Sequence, residues 1–253
     1  MTIAPILSGI LSPVAHGFFT RKGGASSGVF AGLNCGHGSS DQNDIVQINR
    51  ARVAAAMGVA VDALKTVRQV HSADAVIVRD ADRTPDGPAD AMATNVPGVA
   101  LGILTADCMP ILLSDPQAGV VGAAHAGWRG ARDGVIGAVL AAMEGLGANR
   151  SRVRAAIGPT ISQAHYEVGP ELLDEFLSED PQAHRFFAGG RGDRLQFDLP
   201  GYGLHRLRAE GVGGAEWIRH CTYRDAGRFF SYRRATHRKE ADYGRLISVI
   251  RCG

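Results

Sequence analysis

Lysine is nearly absent from this sequence, because Lys22, Lys65 and Lys239 are its only lysines. The basic side chains are therefore almost all arginine, and the formal net charge is only +2. A charge this small argues against a protein that binds a nucleic acid through its overall charge. Arginine forks bind phosphate and carboxylate groups at two points, but we interpret the arginine excess first as a compositional bias of solvated surfaces.

Paired cysteines and long apolar runs are also missing. Cys35, Cys108, Cys221 and Cys252 lie far apart with no CxxC pair, which argues against a secreted disulfide scaffold and favours reduced thiols. The start, MTIAPILSGILSPVAHGFF, is apolar but has no basic region before Arg21. Because no stretch reaches the length of a spanning helix, we expect a cytoplasmic protein with no membrane role.

The length and the hydropathy pattern predict one α+β domain. A chain of 253 residues with 45% hydrophobic and 21% charged residues fits a single domain over residues 1–253. Apolar runs predict strands, several of them buried on both faces, at residues 65–71, 99–105, 111–115, 119–126 and 153–157 and in the closing RLISVIR. Helical spacing predicts helices at residues 41–57, 130–146, 170–177 and 202–209. Strands come in runs, so we expect a layered domain with mixed sheets flanked by helices.

Three residues at predicted strand ends carry the chemistry. His71 ends the strand-like TVRQVH, Cys108 follows ILT in the turn TADCMP, and His125 ends GVVGAAH. Side chains at such positions can meet at one rim of a sheet. Two imidazoles and a thiolate suit zinc, and three protein ligands leave a fourth position open, as in catalytic rather than structural zinc sites.

The same residues also allow other interpretations. Taken singly, each is more often a buried core histidine or cysteine than a ligand. Alternatively, Cys108 is a nucleophile and His125 or His71 its base, with Asp107 or Gln69 as the group that orients the base. Asp107 can equally orient a ligand histidine or cap a turn.

The loop RKGGASSGVFAGLNCGHGSS is the second informative feature. Its glycines let backbone amides approach an anion, and Arg21 with Asn34 can clamp a phosphate, ribose or carboxylate. The loop matches neither a Walker motif nor a dinucleotide-binding fingerprint. His16, His37 and His165 are further, weaker candidates for the site.

Several motifs, in order along nearly the whole chain, resemble the YfiH-like family. They are HGFFTRKGGASSGVFAGLNCG, VRQVHSADAV, DAMATNVPGVALGILTADCMPILL, GAAHAGWRG, AAIGPTISQAHYEVGPE and SYRRATHRKEADYGRLISVI. Members of that family have been described as multicopper polyphenol oxidases, laccase-domain proteins and purine nucleoside phosphorylases. The resemblance implies a cysteine-hydrolase-like fold.

The resemblance also implies a site and an activity. It implies a zinc ion held by His71, Cys108 and His125. The implied activity is phosphorolysis of adenosine, inosine and methylthioadenosine, together with adenosine deamination, for which Asp107 is our candidate proton carrier. Arg21, Asn34 and Arg129 fall in family motifs and are predicted to bind substrate, a nucleoside and phosphate. One departure is Met109, where related chains often have a shorter side chain.

Rival functions remain open at this point. Copper can replace zinc on nitrogen and sulfur ligands, but a four-copper oxidase needs closely spaced histidine pairs, and the nine histidines here include no HxH. A cysteine hydrolase or deamidase, acting on an amide or a cell-wall precursor through Cys108 and His125, is the leading alternative enzyme. The third hypothesis is a binding protein that is stabilised by a metal ion and catalyses no reaction. A monomer or a homodimer is expected.

Overall fold

The computed structural model describes residues 3–81, 83 and 87–253. Its strands are β1 (His16–Phe18), β2 (Leu64–Lys65), β3 (Ala75–Ile77), β4 (Ala91–Thr94), β5 (Ala100–Thr105), β6 (Met109–Asp115), β7 (Val120–Ala126), β8 (Arg154–Ile157), β9 (Glu167–Val168), β10 (Phe187–Gly189), β11 (Leu195–Phe197), β12 (Gly214–Trp217) and β13 (Leu246–Arg251). Its helices are α1 (Asn43–Ala56), α2 (Trp128–Asp133), α3 (Val135–Glu144), α4 (Pro170–Leu177), α5 (Leu199–Ala209) and α6 (Tyr232–His237).

Two mixed sheets packed face to face form the centre of the molecule. The four-stranded sheet has the order β1-β13-β5-β2, and the six-stranded sheet has the order β12-β8-β6-β7-β4-β3. Alternate residues of each strand face opposite sides, so Leu101, Ile103 and Leu112 lie between the sheets, while Ile111 and Leu113 face the other way. Strands buried on both faces explain the continuously apolar runs in the sequence.

Helices cover the outer face of each sheet. Helix α1 packs Val53 and Ala54 against Ile247 and Val249 of the four-stranded sheet. Helix α3 lies on the six-stranded sheet with the buried stripe Val135, Ile136, Val139, Leu140 and Met143. The predicted α+β class, with mixed sheets flanked by helices in layers, is confirmed.

Most of the predicted elements are present, but one prediction that bears on the site is wrong. Of the strand predicted at residues 65–71, only Lys65 is in a strand, and His71 lies in a loop with φ of 61°. The apolar alternation of TVRQV arises because Val67 packs into the core from an irregular segment. The helix predicted at residues 130–146 is interrupted at Gly134, whose φ is 107°, so its start belongs to α2 and the rest to α3. Helix α6 and the small β10-β11-β9 sheet are not predicted by the sequence pattern, since each element is six residues or shorter.

The helices in the described part of the chain are too short or too polar to cross a bilayer.

Candidate metal centre

His71, Cys108 and His125 come together at one point, although they are far apart in sequence. One ligand atom from each lies within 4.8 Å of the others. Cys108 Sγ is 3.8 Å from His71 Nε2, and the two imidazole rings meet edge to face with centroids 4.7 Å apart. His125 is held by β7, Cys108 immediately precedes β6, and β6 and β7 are antiparallel neighbours. The sheet therefore holds two members of the group rigidly.

Asp90 fixes the two histidines relative to each other. Its buried carboxylate accepts a hydrogen bond from His125 Nδ1 at 2.7 Å. The same carboxylate accepts the backbone N–H groups of Val70, His71 and Ser72 at 3.1, 3.0 and 2.7 Å, together with the Ser72 hydroxyl at 3.0 Å. With Nδ1 bound to Asp90, His125 is left with Nε2 to face a ligand.

Two backbone features place the side chains against each other. His71 occupies the left-handed region, which is uncommon for a residue with a side chain and which the three N–H groups bound to Asp90 stabilise. Gly127 lies directly against the group, because a Cβ there would stand 2.9 Å from His71 Cδ2 and 3.1 Å from Cys108 Sγ. Only glycine fits at this position of the HAGWRG motif without displacing a ligand.

The electrostatics favour a thiolate at Cys108. Burial alone would raise the pKa of the Cys108 thiol, but the charge of His125 and hydrogen bonds from both histidines outweigh it and lower this pKa to about 6. Burial likewise opposes the charged form of His125, but the Cys108 thiolate and Asp90 raise the pKa of this imidazole to about 9. Burial works against ionised Asp90 as well, yet the hydrogen bonds from His125, Ser72 and Val70 hold its pKa well below its usual range.

Asp107 is buried and bound to a different part of the protein. Its carboxylate accepts hydrogen bonds from the Thr222 hydroxyl at 2.6 Å, the Ser231 hydroxyl at 2.9 Å and the Arg233 backbone N–H at 2.7 Å. Burial raises the pKa of Asp107 despite these partners. The carboxylate that orients a ligand histidine is thus Asp90, and Asp107 anchors the turn that carries Cys108.

A cavity of about 830 Å³ opens beside the three residues. It lies between the turn of Cys108, the segment leading to His71, the start of α6 and the segment before β13. Three arginines face it, and no carboxylate of the described residues lines it. The wall consists of His37, Gly38, Arg50, Thr66, Val67, Arg68, Gln69, His71, Leu104, Thr105, Ala106, Cys108, His125, Tyr232, Tyr243 and Arg245.

The cationic groups of this wall differ in how firmly they are held. Arg50 is buried and donates to the carbonyl of Cys35 and to Thr66 Oγ1. The Arg245 guanidinium lies 4.5 Å from the ring centroid of Tyr243. Among the described residues, the Arg68 guanidinium has no hydrogen-bond or ion-pair partner, so it is free to bind an anion.

The residues predicted to bind substrate are elsewhere. Arg21 donates from Nε and Nη2 to the Ala31 carbonyl and stacks 4.3 Å from the centroid of Phe230. Arg129 is exposed, with its guanidinium 5.1 Å from the centroid of Trp128. None of Arg21, Asn34 and Arg129 is on the cavity wall. Their roles at the substrate stay predictions.

Asn34 has a structural connection to the cavity all the same. Its side-chain oxygen accepts the backbone N–H groups of Gly36 at 3.1 Å and of Arg245 at 2.9 Å. Its amide nitrogen donates to Ser39 and Asp41. Asn34 therefore ties the glycine-rich loop to the segment that carries an arginine of the wall.

The three weaker histidine candidates lie in different surroundings. His37, which belongs to the glycine-rich loop, lines the cavity. His16 is buried in β1, where it accepts from the Ser8 N–H and pairs with the Val14 carbonyl. His165 stacks on Tyr223, with centroids 4.8 Å apart.

Sequence reasoning missed Asp90 and the cavity's own arginines. The signal for Asp90 was a carboxylate directly before the buried strand β4, which pairs with the strand of His125. Arg68 and Arg245 lie in the motifs VRQVHSADAV and SYRRATHRKEADYGRLISVI, but their convergence with Arg50 depends on the packing of three distant segments.

The donor set fits a metal ion. Ligand atoms bound to one ion at about 2.0–2.3 Å in tetrahedral geometry stand roughly 3.3–3.8 Å apart. The contact between Cys108 Sγ and His71 Nε2 is already at 3.8 Å, and the remaining separations need to contract by no more than about 1.5 Å from the 4.8 Å limit. A thiol with a lowered pKa and a histidine oriented by a carboxylate are the features that metal ligands require.

Comparison with known proteins gives a consistent result. A family model described as multi-copper polyphenol oxidoreductase laccase matches residues 15–253. A purine nucleoside phosphorylase of Deinococcus radiodurans is 40% identical over 253 residues, covering 97% of this chain and 92% of that protein. A purine nucleoside phosphorylase of Corynebacterium glutamicum is 36% identical over 243 residues, covering 94% of each.

Solved structures show the same architecture. YlmD from Geobacillus stearothermophilus superposes with a TM-score of 0.90 at 28% identity, over 100% of this chain and 96% of that one. The hypothetical protein YfiH of Bacillus licheniformis matches with a TM-score of 0.87 at 29% identity, over 94% of this chain and 92% of that one. The resemblance to YfiH-like proteins and the fold that it implies are confirmed.

Proposed function

The chain belongs to the family described as multi-copper polyphenol oxidoreductase laccase, and from this premise we propose that it is a purine nucleoside phosphorylase. The observation that carries the proposal is the cationic cavity beside the His71, Cys108 and His125 group. The two relatives described above align with this chain over nearly their full length, and both are named purine nucleoside phosphorylase. This supports the same class of reaction for this chain.

The cavity has the volume and the chemistry to bind a nucleoside and a phosphate ion together. About 830 Å³ is within the range of small-molecule sites and accommodates a nucleoside with phosphate. Arg68 and Arg245 offer guanidinium forks that match a phosphate dianion. Tyr232 and Tyr243, with ring centroids 5.0 Å apart, supply aromatic surface for a purine.

The residues of the wall then have separate tasks. The arginines hold phosphate and balance its charge, so that an oxygen of phosphate can attack C1′ of the nucleoside as the base leaves. Gln69 holds the wall in place, because its side chain donates to the Leu104 carbonyl at 2.7 Å and accepts the Leu104 N–H at 2.8 Å. His37 lies on the wall of the same cavity, in which we expect the leaving base to be held.

We propose zinc as the metal of His71, Cys108 and His125, with copper as a competitor on the same ligands. Bound there, zinc supplies a Lewis acid at the edge of the cavity. Asp90 orients His125 and would neutralise part of the positive charge of the metal ion. The nine histidines of the chain contain no closely spaced pair, which supports a single ion and not a copper cluster.

Adenosine, inosine and methylthioadenosine are the proposed nucleosides, and adenosine deamination is a proposed second activity. Asp107 remains the proposed proton carrier for deamination. Arg21, Asn34 and Arg129 remain proposed contributors to substrate binding, the first two through the segments that they support.

A cysteine hydrolase is the second candidate, and one observation favours it. Cys108, His125 and Asp90 stand in the order nucleophile, base and orienting carboxylate, with a lowered thiol pKa. A thiolate bound to a metal is unavailable for attack, so metal content separates the two candidates.

The test of the proposed function is product analysis with and without phosphate. Purified protein of measured metal content is incubated with inosine, and hypoxanthine and ribose 1-phosphate are quantified. Phosphorolysis predicts that both appear in equal amounts and only when phosphate is present. Base release without phosphate would show a hydrolase, and binding of inosine without turnover would show a binding protein.

A further inference from the structure

A second cavity, of about 510 Å³, lies outside the candidate metal centre. It is formed entirely by the segment of residues 219–228, which connects β12 to the segment before α6 and is called here the arginine loop. None of its lining residues is on the wall of the larger cavity. The lining consists of Arg219, His220, Cys221, Arg224, Asp225, Ala226, Gly227 and Arg228.

Positive charge dominates this cavity. Arg219 and Arg224 are exposed, and within the described part of the chain neither has a hydrogen-bond or ion-pair partner. The single carboxylate, Asp225, is already bound to Arg228 Nε at 2.6 Å and to the Arg228 N–H at 3.1 Å. Three guanidinium groups and one neutralised carboxylate therefore face one concave space in a protein whose net charge is only +2.

Two further observations characterise the loop. Burial and the nearby Arg228 both lower the pKa of His220. Arg219 has φ of 58°, a left-handed conformation that is uncommon for a residue with a side chain.

The loop is held firmly at both ends. The His220 carbonyl accepts the Thr160 N–H, and the Thr222 N–H donates to the Thr160 carbonyl, each at 3.1 Å. Arg21 donates its N–H to the Arg228 carbonyl at 2.8 Å and its Nη1 to the Ala226 carbonyl at 3.2 Å. A rigid loop loses little conformational entropy on binding, so its charges are preorganised for a ligand.

We propose that the arginine loop is a binding site for a small anion with several phosphate groups, such as a nucleoside triphosphate or an inorganic polyphosphate. Guanidinium forks bind phosphate oxygens at two points, and two of the three forks have no competing partner among the described residues. A single orthophosphate would leave much of the 510 Å³ unfilled, which favours a longer phosphate chain.

Cys221 gives a local readout, because it is partly exposed on the wall of this cavity. The rate of alkylation by the neutral reagent N-ethylmaleimide is measured at Cys221 by peptide mass spectrometry, with and without inorganic tripolyphosphate. At about ten times the dissociation constant, occupancy should slow labelling roughly tenfold. The readout is confined to Cys221, which is not on the wall of the larger cavity, so the outcome does not depend on the proposed enzyme activity.

Variants and ligands make the test specific. R219A/R224A should lose the protection at Cys221, whereas R191A/R208A, which removes the same charge from exposed sites elsewhere, should keep it. Nucleoside triphosphate and tripolyphosphate are compared, and the more potent one identifies the source of the phosphate chain. Absence of protection in the unmodified protein by either compound, or equal protection in R219A/R224A, would overturn the proposal.

Discussion

The Asp90 carboxylate accepts a hydrogen bond from His125 Nδ1 at 2.7 Å while it also binds the backbone N–H of His71 at 3.0 Å. One buried side chain thus sets the position of two of the three residues that can hold a metal ion. The positions of His71 and His125 are consequently coupled, although β4, β7 and the loop before β3 are separate segments of the chain.

Replacement of Asp90 by Asn should weaken the metal site. The variant loses the negative charge that supports His125 and offers one acceptor atom in place of two, so metal affinity should fall by about 10–100-fold. Competition with a chelator, followed by metal analysis, measures this change. Asp74→Asn, at an exposed carboxylate in the same region, is the matched control and should retain the affinity of the unmodified protein.

Replacement of Gly127 by Ala should displace the ligands without altering charge. The new Cβ would stand 2.9 Å from His71 Cδ2 and 3.1 Å from Cys108 Sγ, so one of them must move. Shifts of a few tenths of an ångström relieve these contacts, so we expect metal affinity and turnover to fall, but less than when a ligand side chain is removed. Gly189→Ala meets no heavy atom within 4 Å and serves as the control. Unchanged metal affinity and turnover in Gly127→Ala would contradict the claim that Gly127 is required by the packing of His71 and Cys108.

The pH dependence of Cys108 alkylation should reveal the coupled pair in metal-free protein. Because the pKa of Cys108 is lowered to about 6 and that of His125 raised to about 9, the thiolate should predominate from about pH 6 upward. The alkylation rate, measured on the Cys108 peptide, should be half-maximal near pH 6. A rate that rises only above pH 8, as for an ordinary thiol, would contradict this electrostatic account.

The variants Arg68→Ala and Arg129→Ala test whether phosphate binds in the cavity or at the HAGWRG motif. The free guanidinium of Arg68 on the cavity wall leads us to expect a KM for phosphate raised about tenfold or more in Arg68→Ala, since a hydrogen bond to a charged group contributes about 1.5–3 kcal/mol. Arg129, exposed on Trp128, should have a smaller effect. Initial rates at varied phosphate measure both. A larger effect at Arg129 would support the motif-based prediction.

The contrast between His125 and His71 shows what the sequence can and cannot predict. His125 lies on a strand that is apolar throughout, so its position at the sheet rim follows from periodicity and composition. His71 was expected on a strand as well, but it lies in a loop held in the left-handed region by Asp90. That conformation depends on a contact across 19 residues of sequence, which no local pattern encodes.

The cavity arginines illustrate the same limit. Arg50 comes from α1, Arg68 from the irregular segment before His71, and Arg245 from the segment before β13. Their convergence requires the packing of α1 on the four-stranded sheet, whereas the motifs drew attention to Arg21 and Arg129. Family motifs drew attention to His71, Cys108 and His125, which the structure brings together, but did not single out the groups that line the space beside them.

Stoichiometric metal titration tests the central claim most directly, that phosphorolysis occurs at the site of His71, Cys108 and His125. Metal-free protein is titrated with zinc, and phosphate-dependent base release from inosine is followed. The account predicts that activity rises in proportion to bound zinc, reaches its maximum at about one equivalent, and is not restored in Cys108→Ala. Full activity in protein without metal would contradict it.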